Sequence, residues 1–175
     1  REAALADLAR LLPSTRLLTL TGIGGCGKTR LAAQFAQQQL ASFADGVWFI
    51  DLAPLTDAAR VAAACAAVFG IREEGDTPLL ARLLEHLSAR HTLLVLDNCE
   101  HLIDAVVALA DALLAGSPGT SILATSREAL GVAGEQVYPV RSLSLPATVD
   151  PQEVGRAESV RVFVDRARLA LPEFE

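Results

Sequence analysis

Apolar and polar positions along the chain alternate between two rhythms. Leu17-Leu18-Thr19-Leu20-Thr21 is a short β-prone run that ends at a cluster of glycines. From Thr29 to Leu40, the apolar residues Leu31, Ala32, Phe35, Ala36 and Leu40 recur at helical spacing. Gly46 to Leu52 reads as a second strand closed by Pro54, and residues 57–69 as an Ala-rich helix stopped by Gly70. Asp76-Thr77-Pro78 has the form of a helix start, with a capping side chain and Pro in the first turn. Leu79, Leu80, Leu83, Leu84 and Leu87 then give that helix one apolar face. The run Leu93-Leu94-Val95-Leu96 is apolar without alternation, as in a strand buried on both faces of a parallel sheet. A helix from about Leu102 to Ala115 follows, with Gly116 as its stop. Ser121 to Thr125 is another buried strand, and Gln136 to Val140 a weaker fifth. Arg156 to Leu171 reads as a last helix with Val160, Phe163, Val164 and Ala167 on one side. Strands alternating with helices predict an α/β fold: a three-layer sandwich with a parallel sheet of about five strands between helices, in one domain over residues 1–175.

Composition narrows the classes. A length of 175 residues with 51% apolar side chains is enough for one substantial core. A charged fraction of 21% excludes a disordered chain of high charge and low hydrophobicity. With 15 basic and 21 acidic residues the net charge is −6, which argues against this segment gripping nucleic acid. The three cysteines, Cys26, Cys65 and Cys99, are odd in number and irregular in spacing, so they read as reduced thiols of a cytoplasmic protein. Arg1-Glu2-Ala3-Ala4 is not a signal peptide, and no apolar run is long enough to span a bilayer. The absence of Met suggests an excised or processed piece.

The informative motif is Gly22-Ile23-Gly24-Gly25-Cys26-Gly27-Lys28-Thr29, which matches G-x-x-x-x-G-K-[ST] between a predicted strand and a predicted helix. Glycines let the backbone fold tightly around a phosphate with consecutive N–H groups pointing inward. The start of the following helix adds its positive dipole end. In this geometry Lys28 reaches the β- and γ-phosphates and the Thr29 hydroxyl ligates Mg²⁺. Lys28 is the single lysine; the other 14 basic residues are Arg. A compact ammonium fits inside a backbone nest where a planar guanidinium does not.

Such a loop needs a carboxylate at the end of a neighbouring strand, and Asp97 is the expected Mg²⁺ partner, the alternative being a cap on the next helix. The next residue is Asn98, where many hydrolytic relatives carry an acid. Glu100 is a candidate to polarise water, or equally a helix-start acid. Ser126 and Arg127 end a core strand at the edge where ligands of open α/β sheets bind. Arg127 is therefore expected to face the terminal phosphate, the alternative being a surface arginine paired with Glu128 or Glu135. Trp48 and Phe49 are expected in the core, and His86, His91 and His101 lack metal-ligand spacing. Cys26, between the glycines and a lysine, is either a small neutral spacer or a thiol made oxidisable by its surroundings.

These blocks together resemble the nucleotide-binding domain of the signal-transducing ATPases with numerous domains (STAND), the class that includes the NB-ARC switches. The resemblance is carried by Thr-Leu-Thr-Gly-x-Gly-Gly-x-Gly-Lys-Thr-Arg-Leu-Ala at 19–32, Gly-Val-Trp-Phe-Ile-Asp-Leu-Ala-Pro-Leu at 46–55, Leu-Asp-Asn-Cys-Glu-His-Leu at 96–102 and Ile-Leu-Ala-Thr-Ser-Arg-Glu at 122–128. The wording is similar to the bacterial branch found in transcriptional regulators of LuxR and AfsR type. The resemblance implies a switch that holds ADP at rest and ATP when active, with slow Mg²⁺-dependent hydrolysis involving Lys28, Asp97, Glu100 and Arg127. It implies nucleotide contacts from Gly22 through Arg30 and γ-phosphate contact by Arg127. Arg1-Glu2 corresponds to the tail of a segment lying near adenine. The family's downstream Gly-x-Pro motif, winged helix and helical repeats are not within these residues. Other domains of the same chain, and ATP-dependent self-association, are the expected partners. A small-molecule kinase should carry an Arg-rich lid and an acceptor-binding acid, and neither is evident. A Ras-type GTPase should carry Asn-Lys-x-Asp, which the single lysine excludes. An interaction domain with a vestigial loop is the remaining alternative.

Overall fold

The computed structural model describes residues 1–175 except 74, 143, 145, 147–149, 151–153, 156 and 172–175. Five strands, β1 (Leu17–Thr21), β2 (Val47–Asp51), β3 (Thr92–Asp97), β4 (Thr120–Ser126) and β5 (Glu135–Pro139), form one sheet in the order β2-β3-β4-β1-β5. Every pairing is parallel. The helices are α1 (Glu2–Leu11), α2 (Lys28–Gln38), α3 (Val61–Val68), α4 (Leu79–Leu87), α5 (Ile103–Gly116) and α6 (Glu158–Ala170). The expected α/β P-loop NTPase-like sandwich is therefore present.

Side-chain alternation divides the core into two layers. Leu94, Leu96, Ile122 and Ala124 face one apolar cluster with α3, α4 and α5, among them Cys65, Leu83, Leu87, Val106 and Leu113. Their neighbours Leu93, Val95 and Leu123, with Leu18 and Leu20, face a second cluster built on Leu5, Leu8, Leu31 and Phe35 of α1 and α2. Period-two alternation with both faces covered is why these strands read as unbroken apolar runs. Arg16 donates to the carbonyls of Leu114 and Ser117, which satisfies acceptors at the C-terminus of α5.

Several local expectations are corrected. Helix α1 was not expected, although Leu5, Leu8 and Leu12 recur at helical spacing and are buried. At α4 the N-cap is Pro78, and no side chain of Asp76 or Thr77 caps the helix. Residues 58–60 form a 3₁₀ turn before α3. Gly116 is the last residue of α5 and Ser117 its C-cap. Trp48 packs partly buried on Phe69 with ring centroids 4.6 Å apart, but Phe49 points outward from the edge strand and is 40% exposed. Helix α6 begins at Glu158; the expected start, Arg156, lies outside the described residues. No helix among the described residues is long and apolar enough to cross a membrane.

Candidate functional site

The sheet order puts β1 beside β4, with β3 beyond it, so the C-terminal ends of three adjacent strands carry the loop 22–27, Arg127 and Asp97 along one edge. The carboxylate strand is thus not the immediate neighbour of β1. Strand β4 intervenes, and its register sets Thr21 against Ser126 and Leu96 against Ala124.

The loop leaves β1 at Gly22 (φ +151°) and enters α2 through Gly27, the N-cap, in the left-handed conformation (φ +92°). At Gly22 a Cβ would lie 2.9 Å from the Val140 carbonyl oxygen and 3.0 Å from Cys26 Sγ, so any side chain there collides with the segment leaving β5. Lys28 is 8% exposed, and its Nζ donates to the carbonyls of Gly22 (2.8 Å) and Ile23 (3.2 Å). The ammonium is enclosed by its own loop, with Ile23, Gly24 and Gly25 outside it and exposed. Thr29 and Arg30 are exposed on the first turn of α2. Cys26 is buried beneath the loop, a small spacer rather than a surface thiol. The Arg1 guanidinium donates to the Cys26 carbonyl at 2.7 Å and to the Arg141 carbonyl at 3.3 Å, joining the loop to the segment after β5. Beside the loop a cavity of about 660 Å³ opens between Gly25, Gly27 and Leu31 on one side and Val160 and Val164 of α6 on the other.

Asp97 is 1% exposed, yet both of its oxygens are engaged. Oδ1 accepts from Thr125 Oγ1 at 2.6 Å and Oδ2 from Asn98 Nδ2 at 3.0 Å. Asn98 occupies the left-handed region (φ +62°), where Asn is more tolerant than most residues. That conformation turns its backbone N–H onto Thr125 Oγ1 (3.0 Å) and brings its amide 3.5 Å from Asp51 Oδ1. Asn98 therefore ties the ends of β2, β3 and β4 together, a role its sequence position did not reveal. Glu100 follows in the 3₁₀ turn Cys99–His101, and its Oε1 accepts from Arg127 Nε at 3.2 Å. Arg127 is thus paired with Glu100 and not with Glu128 or Glu135. Glu135 instead accepts from the backbone N–H groups of Leu130 and Gly131.

The three histidines do structural work: His91 stacks on Phe43, His86 lies against Phe69, and His101 Nε2 is 2.9 Å from the Leu55 carbonyl. Burial, reinforced by Arg90, lowers the His86 pKa from its usual value. The residues present fit a polyphosphate with Mg²⁺. A lysine is enclosed where a phosphate chain would lie, the space in front of Gly24 and Gly25 is open, and a threonine hydroxyl and a buried carboxylate stand on the same edge.

Residues 13–132 match the AAA domain family. An HTH-type transcriptional regulator of Mycobacterium tuberculosis, provisionally so named, is 43% identical over 164 residues, 94% of this chain but 17% of that protein. The chain thus spans about a sixth of that relative. Among solved structures, Cdc6p from Pyrobaculum aerophilum superposes with a TM-score of 0.66 at 18% identity, over 97% of this chain and 49% of that one. A STAND protein with a tetratricopeptide repeat sensor from Pyrococcus horikoshii superposes with a TM-score of 0.55 at 16% identity, over 100% of this chain and 26% of that one.

Proposed function

The chain belongs to the AAA domain family, and from that premise we propose that it is an ATP/ADP-binding switch domain with slow Mg²⁺-dependent hydrolysis, working inside a larger bacterial signalling or transcriptional regulator. The observation that carries this reading is Lys28, buried in a glycine loop with its ammonium on two backbone carbonyls. A phosphate chain seated on the loop gains inward N–H groups, the N-terminus of α2 and this ammonium together.

In this reading Gly22 to Arg30 hold the phosphates and Thr29 ligates Mg²⁺. Asp97, held in place by Thr125 and Asn98, fixes the metal's water shell. Arg127 reads the terminal phosphate, and Glu100 orients water. The cavity between α2 and α6 is wide enough for a nucleoside, and Arg1 stands at its rim. NB-ARC likeness and the LuxR/AfsR setting come from the wording of the four motifs; the mycobacterial relative's name, an HTH-type transcriptional regulator, supports the regulatory setting alone. Any DNA contact is assigned to another segment, since this one carries a net charge of −6. Self-association driven by ATP is part of the same proposal.

A nucleotide-binding scaffold with negligible hydrolysis is the second reading. It is favoured by Asn98 at the position after Asp97 and by the engagement of Glu100 with Arg127. Denaturing the purified protein and chromatographing what it releases tests both. ADP or ATP in near-stoichiometric amount supports a switch, and a released non-nucleotide or guanine nucleotide rejects it. Multiple-turnover release of phosphate separates the two readings.

A further inference from the structure

The walls of the cavity beside the phosphate loop differ in chemistry. Arg30, Leu31 and Gln34 share one face of α2 and line it, with Gly25 and Gly27 of the loop next to them. Opposite stand Val160 and Val164, one turn apart on α6. Leu31 and the two valines make an apolar slot. Six residues of helix set Gln34 about 9 Å along α2 from Lys28, away from the phosphate end. Gln34 is exposed. The other polar side chains lining the cavity, among the described residues, are those of Arg1, Arg30, Arg161, Arg166 and Arg168. A guanidinium only donates hydrogen bonds, whereas an amide both donates and accepts. Gln34 thus supplies the one side-chain acceptor among the described lining residues.

We propose that Gln34 reads the base of the bound nucleotide and selects adenine. The inference rests on the nucleotide-switch reading of the site, with the phosphates on the loop and the base in the apolar slot. Adenine carries an amine donor at N6 beside an acceptor at N7, and a glutamine amide meets the two together with its carbonyl and its NH₂ group. Guanine places two acceptors, O6 and N7, on that edge, and the amide matches only one of them. Without Gln34 the adenine amine would face guanidinium groups, which carry no acceptor. The division of labour follows the helix: the loop at the start of α2 holds the phosphates, and Gln34 further along sets which base follows them.

Calorimetric titration of the 175-residue chain tests this with Mg²⁺-ADP, with the 5′-diphosphate of purine riboside, which lacks the 6-amino group, and with inorganic pyrophosphate, which has no base. The wild type is expected to bind ADP about tenfold more tightly than the purine riboside diphosphate. Gln34→Leu keeps a good helix former but removes the amide. It is expected to bring the two nucleotides to equal affinity and to leave pyrophosphate unchanged. An undiminished preference in a Gln34→Leu variant that melts like wild type overturns the base reading while the loop's role stands. So does a wild type that binds pyrophosphate but shows no preference between the two nucleotides. A pyrophosphate affinity that falls in step with ADP assigns Gln34 to the support of the loop and also overturns it. Should Gln34→Leu fail to fold, Gln34→Ala is read in its place. A wild type that binds none of the three probes overturns this inference and the switch reading together.

Discussion

Thr125 Oγ1 donates to Asp97 Oδ1 at 2.6 Å across the adjacent strands β3 and β4, at a point where both side chains are sealed from solvent. The same hydroxyl oxygen accepts the Asn98 backbone N–H at 3.0 Å. One hydroxyl thus orients the buried carboxylate and fixes the turn that leads to Glu100.

Thr125→Val preserves the shape but leaves a carboxylate oxygen and a backbone N–H unpaired in the interior. The expected loss is about 1–3 kcal/mol, read as a lower urea midpoint at an unchanged slope. Thr125→Ser, which restores the hydroxyl, is expected to recover most of it. Full stability in the valine variant would show that the hydroxyl is dispensable.

Gly22→Ala places a methyl group 2.9 Å from the Val140 carbonyl oxygen at a φ that L residues rarely adopt. Strain of about 1–3 kcal/mol is expected, together with loss of nucleotide binding, because the loop must shift away from β5. Gly24→Ala meets nothing within 4 Å and should fold as wild type. Thermal melting of the two variants side by side distinguishes them.

Lys28→Ala removes the enclosed ammonium and is expected to weaken Mg²⁺-ATP binding by about a hundredfold, in line with a charge-assisted contact of about 3 kcal/mol. Lys28→Arg should not restore it, since a planar guanidinium does not fit between the Gly22 and Ile23 carbonyls. Fluorescence titration with a labelled ATP analogue measures both. Wild-type affinity in the arginine variant would contradict the enclosed geometry.

Arg127→Ala is expected to retain ADP and to weaken ATP about tenfold. With 69% of the arginine side chain exposed, the substitution should leave the melting temperature nearly unchanged. Equal losses for the two nucleotides would remove Arg127 from phosphate sensing.

Burial pushes the thiols of Cys65 and Cys99 up to about 12. At pH 8 the ionised fraction of each is then about one in ten thousand, so iodoacetamide should label them only through unfolding. The unfolded thiols ionise first as the pH rises, so their contribution is intact below about pH 9 and stability falls between about 9 and 12. Mass spectrometry of the labelled peptides, with and without urea, checks this. The idea of a reactive Cys26 fails if that peptide labels no faster than the one carrying Cys65.

The central strands β3, β4 and β1 were legible because they are buried on both faces. Leu93 to Leu96 and Ile122 to Ala124 feed two cores in alternation, so every position is apolar and the runs stand out. The glycine loop was legible because residue type there is dictated by backbone geometry and a single charge. Helix α1 was obscured by its Ala content: its fully buried residues are Leu5 and Leu8, continued by Leu12 at the C-cap, among small and charged residues. Phe49 departs from the core expectation because apolar character on an edge strand does not say which face is covered. Asn98 and Thr125 could not be paired from the sequence, because their contact depends on the strand order and register. Arg127 directly follows β4, as its place in the sequence implies, but its partner Glu100 is 27 residues away and is set by a 3₁₀ turn that leaves no periodic signal.

The proposed nucleotide site depends first on the loop from Gly22 to Thr29. Isothermal titration of Mg²⁺-ATP and Mg²⁺-ADP into nucleotide-stripped wild-type chain, with Lys28→Ala as the control, measures it directly. Saturable one-to-one binding of both nucleotides by the wild type, lost in the alanine variant, is the predicted result. Binding that survives unchanged in Lys28→Ala, or no binding by a fully folded wild-type chain, would contradict it.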